Sequence, residues 1–368
     1  MTESYDIAVI GAGMAGASIA AELAPHARVL LAEAEPMPGY HATGRSAAFW
    51  DECYGGPDVV PLTLASGPYL REHGMLSPRG ALYVARARDE AAVATFLDTF
   101  AGSGVHIERL GRASLEQRVP GVRPEWTLAV SEPACADIDV AGLHQHYLAA
   151  ARRGGVELRS SSRLESAERK GASWRLSFGK AGEARAAALV DAAGAWADEV
   201  AALAGARPLG IAPLRRTIAQ LRTDPPPAAD LPLVLDINGG FYFKPEHGKL
   251  WLSPHEETPS VPCDAAPEEL DVAIAIDRFE QVVDWRVLAV EHKWAGLRSF
   301  APDRLPVYGF DPAREGFFWF AGQGGFGIQT APAAARLAAQ LLLGLPRDEM
   351  TETLNAALYS PGRFNGQR

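Results

Sequence analysis

Asp6-Ile-Ala-Val-Ile-Gly11-Ala-Gly13-Met-Ala-Gly16 opens the chain, and after an Ala-rich stretch comes Arg28-Val-Leu-Leu-Ala-Glu33. The apolar run reads as a strand, the glycines as a turn, and the Ala-rich stretch as a helix. The last stretch reads as a second strand closed by an acid. Each glycine has a physical task in such a unit. Gly11 makes the tight turn, Gly13 lets backbone approach a pyrophosphate, and Gly16 lets the helix pack close to the strand. The phosphates then face the unpaired N–H groups and the positive dipole end of the helix. Glu33 is placed to accept hydrogen bonds from a ribose diol. A dinucleotide-binding unit of Rossmann type is therefore predicted over about residues 5–35.

Composition narrows the rest. At 368 residues the chain exceeds the usual single-core size, so two domains are expected. Hydrophobic content of 48% and charged content of 22% suit a soluble globular protein. A formal net charge of −10 without a long Lys/Arg run argues against nucleic acid as a partner, because neutralising phosphates takes clustered cations. No transmembrane segment is expected, since the most apolar helical candidate, 333–345, is short and broken by Arg336 and Gln340. Glu3 and Asp6 stand where a secretory signal needs positive charge. The three cysteines, Cys53, Cys135 and Cys263, are scattered, which suits a reducing, cytoplasmic setting.

Two further stretches repeat the strand and helix character of the first. Over 137–205 the apolar spacing predicts a helix from Val140 to Arg153, strands near 156–158 and 174–178, and a buried strand in Ala187-Ala-Leu-Val-Asp-Ala-Ala-Gly194. Near the far end, Gly316-Phe-Phe-Trp-Phe-Ala-Gly322 leads through Gln323-Gly-Gly-Phe-Gly-Ile-Gln-Thr330 into a helix reaching about Leu343. Between these pieces lie short alternating runs at 81–85, 217–221, 240–244 and 250–252, separated by loops such as Asp224-Pro-Pro-Pro227. They predict a mostly antiparallel sheet. The expected class is α/β (α+β). A discontinuous FAD- or NAD-binding domain is assembled from 1–75, 136–210 and 296–368, and a substrate domain is inserted as 76–135 and 211–295.

The opening motif alone does not separate NAD from FAD, but two loops favour FAD. The glycine-rich loop 323–330 opens a helix whose N-terminus can stabilise the negative charge of a reduced flavin ring. Gly39-Tyr-His-Ala-Thr-Gly-Arg-Ser-Ala47 follows Glu33 closely and can cross the pyrophosphate and ribityl chain, with Arg45 and Ser46 as donors. Together with these, Ala136-Asp-Ile-Asp139, Leu143-His-Gln145, Asp191-Ala-Ala-Gly-Ala-Trp196 and Trp294-Ala-Gly-Leu-Arg-Ser-Phe300 complete a set spread over residues 5–330. In these pieces the chain resembles the D-amino-acid oxidase superfamily of FAD enzymes, most closely the bacterial FAD-dependent D-arginine dehydrogenase branch. The resemblance implies FAD held without a covalent link. It also implies oxidation of a D-amino acid to an imino acid by hydride transfer to flavin N5, then hydrolysis to a 2-oxo acid and ammonia. Implied FAD contacts are Gly11, Gly13, Met14, Ala15, Gly16, Glu33 and Ala34, and in the next loop Thr43, Gly44, Arg45, Ser46, Ala47 and Ala48. Leu164, Ala193, Gly194 and Trp196 follow, and then Gly324, Gly325, Phe326, Gly327, Ile328, Gln329 and Thr330.

Such chemistry needs an anchored substrate carboxylate, and the planar fork of arginine pairs both oxygens. The resemblance implies that Arg298 is this clamp and Arg216 a second contact, with Arg215 as the alternative to Arg216. It implies that Tyr242 touches the same carboxylate. Tyr54, in the glycine-bounded stretch Cys53-Tyr-Gly-Gly56, is expected to act as a lid. Gly325 is expected to let the substrate amine approach a backbone carbonyl.

Departures from the arginine-oxidising relatives shift the expected substrate. Ala81 stands where those relatives carry an acid, and Phe49, followed by Trp50, replaces a histidine. A pocket that loses an acid and gains aromatic surface suits a neutral, apolar or aromatic side chain. Asp51 or Glu52 turned inward would instead restore affinity for a cation; exposed loop positions are expected for both. His144 and His146 sit two apart on a helix and point apart, so no metal is expected. His41 is expected to support the FAD loop, Cys53 to be a small packing residue, and the tail around Ser360-Pro-Gly-Arg-Phe364 to pack over the cofactor domain. An N-methyl amino acid or 2-hydroxy acid would use the same clamp, and a non-catalytic flavin-binding redox sensor is a third reading. Quinone, a dye-like carrier and O₂ all stand open as electron acceptor.

Overall fold

The computed structural model describes residues 3–47 and 49–364. Five parallel strands run side by side in the order Phe317–Ala321, Glu183–Asp191, Glu3–Ile10, Val29–Ala32 and Glu157–Arg159. Their side chains alternate between two apolar layers. Ile7, Val9, Val29 and Leu31 face one layer, while Ala8, Ile10, Leu30 and Ala32 face the other. Burial on both faces explains the apolar runs 7–10, 29–32 and 317–321 at the centre of this sheet. The helices Met14–Leu23, Val140–Arg153 and Ala331–Leu343 cover the first face. Trp174, Trp319 and the short helix Ala197–Leu203 fill the second. Antiparallel strands Ser166–Lys170, Ser173–Ser177 and Val307–Phe310 complete this sheet. It is the Rossmann-like layer that the opening motif predicts.

The helix ends follow from the sequence. Asp139 accepts a hydrogen bond from the Gly142 amide at 2.8 Å, capping the second helix. The last helix stops at Gly344, whose φ of +66° is the left-handed conformation glycine adopts freely. Among the described residues no helix is long and apolar enough to cross a membrane.

A second sheet is built from Gln323–Gly324, Arg286–Phe300, Ala212–Asp224, Lys249–Ser253, Tyr242–Glu246, Leu233–Asp236, Ala81–Arg86, Trp126–Glu132 and Glu108–Gly111, in that order, with Thr258–Pro259 on its side. Its pairs are antiparallel except for 233–236 beside 81–86. Two strands are far longer than the short runs expected: Ala212–Asp224 and Arg286–Phe300 pair along their whole lengths. Register shifts after Gln220 and Arg222 break the alternation that would have revealed them. The helices Glu90–Phe100 and Glu269–Glu280 lie in regions read as strand and loop, and the helix Val60–Glu72 lies in a stretch for which no element was predicted. The C-terminal turn Pro361–Phe364 packs against the strand Val307–Phe310, and Arg363 pairs with Asp303 at 2.6 Å.

Candidate active site

One long cavity runs from the ends of the parallel strands to the face of the second sheet. Its first end is the glycine turn. Gly11 has φ +97°, and a Cβ there would lie 2.6 Å from the Ala192 carbonyl oxygen. A Cβ at Gly16 would lie 1.7 Å from the Gly11 carbonyl oxygen, so only glycine lets the helix start this close to the strand. Glu33 is buried at the tip of the second strand. Its two carboxylate oxygens accept the amides of Ala12 at 2.7 Å and Glu35 at 2.9 Å, leaving lone pairs toward the cavity. Thr43 Oγ1 accepts the Met14 amide at 2.9 Å and ties the next loop to the helix start.

The other end is set by strand parity. In the pairing of 212–224 with 286–300, Arg216 lies opposite Gly296 and Arg298 opposite Leu214. Both arginines therefore project from the same face, two positions apart, while Arg215, opposite Leu297, projects from the other. Arg215 is engaged there by Glu268 and Asp271. Arg216 and Arg298 line the cavity. The Glu256 carbonyl accepts from Arg216 Nε at 2.9 Å and from Arg298 Nη2 at 3.5 Å, so one backbone oxygen holds both. Arg298 also donates to the Tyr54 hydroxyl at 2.8 Å and to Glu257 at 2.9 Å.

Charge is concentrated at this end. Burial and the neighbouring Arg298 hold the Arg216 guanidinium below its ordinary range. For Arg298, burial works against the charge, but Tyr54, Glu257 and Tyr242 outweigh it and keep the group above its usual value. Burial raises the Tyr242 hydroxyl against the opposing pull of Arg216. Phe49, Tyr54 and Tyr242 form a connected aromatic wall, with Phe49 5.5 Å from Tyr242 and 6.2 Å from Tyr54 between ring centres. Ile218 and Leu235 add apolar surface.

A family model described as FAD dependent oxidoreductase (DAO) matches residues 6–341. The chain belongs to the DAO family of FAD-dependent oxidoreductases. It is 29% identical over 171 residues to glycine oxidase of Pseudomonas aeruginosa, covering 44% of this chain and 43% of that protein. It is 28% identical over 203 residues to FAD-dependent oxidoreductase domain-containing protein 1 of Xenopus laevis, covering 49% and 38%. The chain thus spans less than half the length of these curated relatives. Among solved structures it is similar to glycine oxidase from Geobacillus kaustophilus, at TM-score 0.83, 24% identity and 98% of both chains. It is also similar to L-proline dehydrogenase from P. horikoshii, at TM-score 0.85, 21% identity, and 99% and 98% of the two chains. These structural likenesses carry the fold. The glycine cradle, the acid at the second strand and the length of the cavity fit FAD.

Most residues expected at the FAD meet along this cavity: Gly11, Gly13, Met14, Ala15, Glu33, Ala34, Thr43, Arg45, Ser46, Ala47, Leu164, Ala193, Gly194, Trp196, Gly324, Gly325, Gly327, Ile328 and Gln329. Four others do not line it. Gly16 is spent on the helix approach, and Gly44 turns its open side to the Gly39 carbonyl. Phe326 packs with Val59 and Phe300, and the buried Thr330 hydroxyl donates to the Phe326 carbonyl at 2.9 Å. Ala48 lies outside the described residues. Arg45, expected as a phosphate-side donor, instead directs its guanidinium to Asp264 and to the carbonyls of Ala265 and Ala295.

The expected substrate-side residues Arg216, Arg298, Tyr54, Tyr242 and Gly325 all line the second end, as does Phe49. Trp50 does not; it is fully buried against the helix layer. Asp51 and Glu52 are buried rather than exposed, and neither lines the cavity. Asp51 accepts from the Tyr83 hydroxyl at 2.5 Å and the Cys53 amide at 2.9 Å, beside Glu132. His41 bonds Glu35 at 3.0 Å, and His144 reaches the Ala12 carbonyl at 2.9 Å. Sequence reading missed His255, Ile218 and Leu235 in the lining. Ile218 was legible as the next same-face position after Arg216; His255 carried no signal, since it sits in an irregular loop.

Proposed function

We propose that the chain oxidises a D-amino acid with a neutral, apolar or aromatic side chain to the imino acid, which water hydrolyses to a 2-oxo acid and ammonia. The supporting observation is the pair of guanidiniums at one end of an FAD cavity, Arg216 buried and Arg298 with its side chain 12% exposed. Glu257 pairs with Arg298 at 2.9 Å and Glu256 stands 3.7 Å from Arg216, yet among the described residues the buried Arg298 Nε has no partner, a donor that a substrate carboxylate can fill. Arg298 and Arg216 are assigned to the carboxylate, with the Tyr54 and Tyr242 hydroxyls as supplementary donors. FAD, bound without a covalent link, supplies the two-electron acceptor. Tyr54 and the aromatic wall exclude water and fix the side chain, so that the Cα–H direction is set by where the carboxylate is held. The Gly325 carbonyl is assigned to the substrate amine.

A neutral side chain is supported by the lining. The acids lining the cavity are Glu33, Glu35 and Glu199, all at the dinucleotide end; Glu256 and Glu257 at the other end are engaged by the arginines, and Phe49, Ile218 and Leu235 supply the wall beside them. The D configuration rests on the loop resemblance to D-arginine dehydrogenases. Anaerobic titration of the FAD-loaded protein with D- and L-amino acids, N-methyl amino acids and 2-hydroxy acids tests this reading. Bleaching of the flavin by D-leucine or D-phenylalanine is expected, with D-arginine weaker. Bleaching only by an N-methyl or hydroxy acid would reassign the substrate, and no bleaching at all would make the chain a flavin-binding sensor.

A further inference from the structure

Tyr54 meets Arg298 from a tight turn, and two buried acids hold that turn from behind. Each backbone amide from 51 to 54 has a partner. The Asp51 amide donates to Gln329 Oε1 at 3.3 Å, and the Glu52 amide to Glu132 Oε1 at 2.7 Å. The Cys53 amide donates to Asp51 Oδ1 at 2.9 Å, and the Tyr54 amide to the Asp51 carbonyl at 3.2 Å. Asp51 and Glu132 are both fully buried. A carboxyl oxygen of each and the Cys53 sulfur lie within 4.8 Å of one another. Among the described residues neither carboxyl has a cation within ion-pair distance; Arg71 pairs with Glu52 instead, at 4.0 Å. The other titratable groups against the pair are Tyr83 on the strand 81–86, Glu52 and Cys53 on the turn, and Cys135, none of them basic. Two buried carboxylates this close without a cation do not both ionise.

Hydrogen-bond roles say where the remaining proton sits. Asp51 accepts on both oxygens, from the Cys53 amide and from the Tyr83 hydroxyl at 2.5 Å, as an ionised carboxylate does. Glu132 accepts on Oε1, while its buried Oε2 has no partner among the described residues. Resting on the function proposed above, we infer that Glu132 and Asp51 are positioning residues for the substrate carboxylate: a proton carried on Glu132 Oε2 and shared with Asp51 lets both acids hold the turn that aims the Tyr54 hydroxyl at Arg298. Burial first, and Asp51 after it, push the Glu132 carboxyl well above its ordinary range, in line with that geometry. Glu132 belongs to the strand 126–132 and Tyr83 to the strand 81–86 beside it. The second sheet thus reaches the arginine end twice, through the arginines themselves and through the turn that brings Tyr54 to them.

The test uses the FAD-loaded protein and benzoate, a carboxylate whose binding is read from the flavin spectrum without any turnover. Glu132→Gln keeps an acceptor for the Glu52 amide and a donor toward Asp51, so its benzoate affinity is expected to match wild type. Glu132→Ala is expected to weaken benzoate about tenfold at unchanged FAD content. In a Tyr54→Phe background the same Ala change should cost less than about twofold, because the contact it positions is already gone. Infrared difference spectra of wild type against Glu132→Gln at neutral pH should show the carbonyl band of a buried protonated carboxyl. The inference is overturned by a Gln variant as damaged as the Ala variant, by an Ala effect undiminished in Tyr54→Phe, or by absence of that band. A stoichiometric metal ion in protein purified without chelator, lost in Glu132→Ala, overturns it too, since a cation would then do the work of the proton. Should Glu132→Ala fail to load FAD, the Gln variant and the infrared band decide. If benzoate follows these expectations and no amino acid bleaches the wild-type flavin, the proposed function alone is defeated.

Discussion

At the scale of the residue, Gly325 sets the geometry of the arginine end. A Cβ at this position would lie 2.0 Å from the Tyr54 hydroxyl oxygen and 3.1 Å from Arg298 Nη1. Gly325→Ala should therefore displace Tyr54 and raise KM at least tenfold, a loss of about 1.4 kcal/mol, while FAD content measured after desalting stays near wild type. His255 gives a pH signature of its own. Its folded value of about 3 lies below the ordinary histidine value of about 6.5. The unfolded chain therefore binds more protons between those two values, and stability rises with pH across that window and is complete above it. Urea unfolding of His255→Asn should lose up to ~1.4 kcal/mol per pH unit of that slope relative to wild type; identical slopes would count against a buried neutral ring. The arginine choice marks the limit of sequence reading at this scale. Arg215 and Arg216 are adjacent and chemically identical, and only the pairing with Leu297 and Gly296 tells which one faces the cavity.

At the scale of the element, the dinucleotide unit was legible because each of its pieces is a continuous apolar strand followed by glycines and a small-residue helix. Gly16→Ala places a methyl against the Gly11 carbonyl, so helix and strand must part. A stability loss on the order of 1–3 kcal/mol in thermal or urea unfolding is expected, together with weakened FAD retention; full FAD occupancy in this variant would contradict the assignment. The second sheet was legible as antiparallel β structure but not as two long strands, because the bulges near Gln220 and Arg222 interrupt the two-residue period. The helix Val60–Glu72 was hidden by Pro61 and Pro68, loop-forming residues that a helix accepts here in its first turn and on its packed length. The segment carrying Asp264 also escaped notice. It reaches across to Arg45 and Tyr40 of the FAD loop. Because Asp264 is exposed, its ion pair contributes only about 0.2–1 kcal/mol. Asp264→Asn should accordingly speed FAD loss only a few-fold in a dilution assay, with an effect that shrinks in high salt; a hundredfold change would mean the segment is a true latch.

At the scale of the whole molecule, a parallel sheet supplies the cradle and an antiparallel sheet supplies the cations, and the cavity joins the two. The long strand Arg286–Phe300 carries Arg298, and its end pairs with Gln323–Gly324, which opens the loop to the last helix. The strand that carries Arg298 and the loop that opens the last helix are thus joined directly. The most direct test is kcat/KM of Arg298→Ala against wild type with the best neutral D-amino acid, at equal FAD content. A fall equivalent to about 2–5 kcal/mol is expected for removing one member of a buried clamp. An unchanged kcat/KM would contradict the carboxylate clamp on which the proposed activity rests.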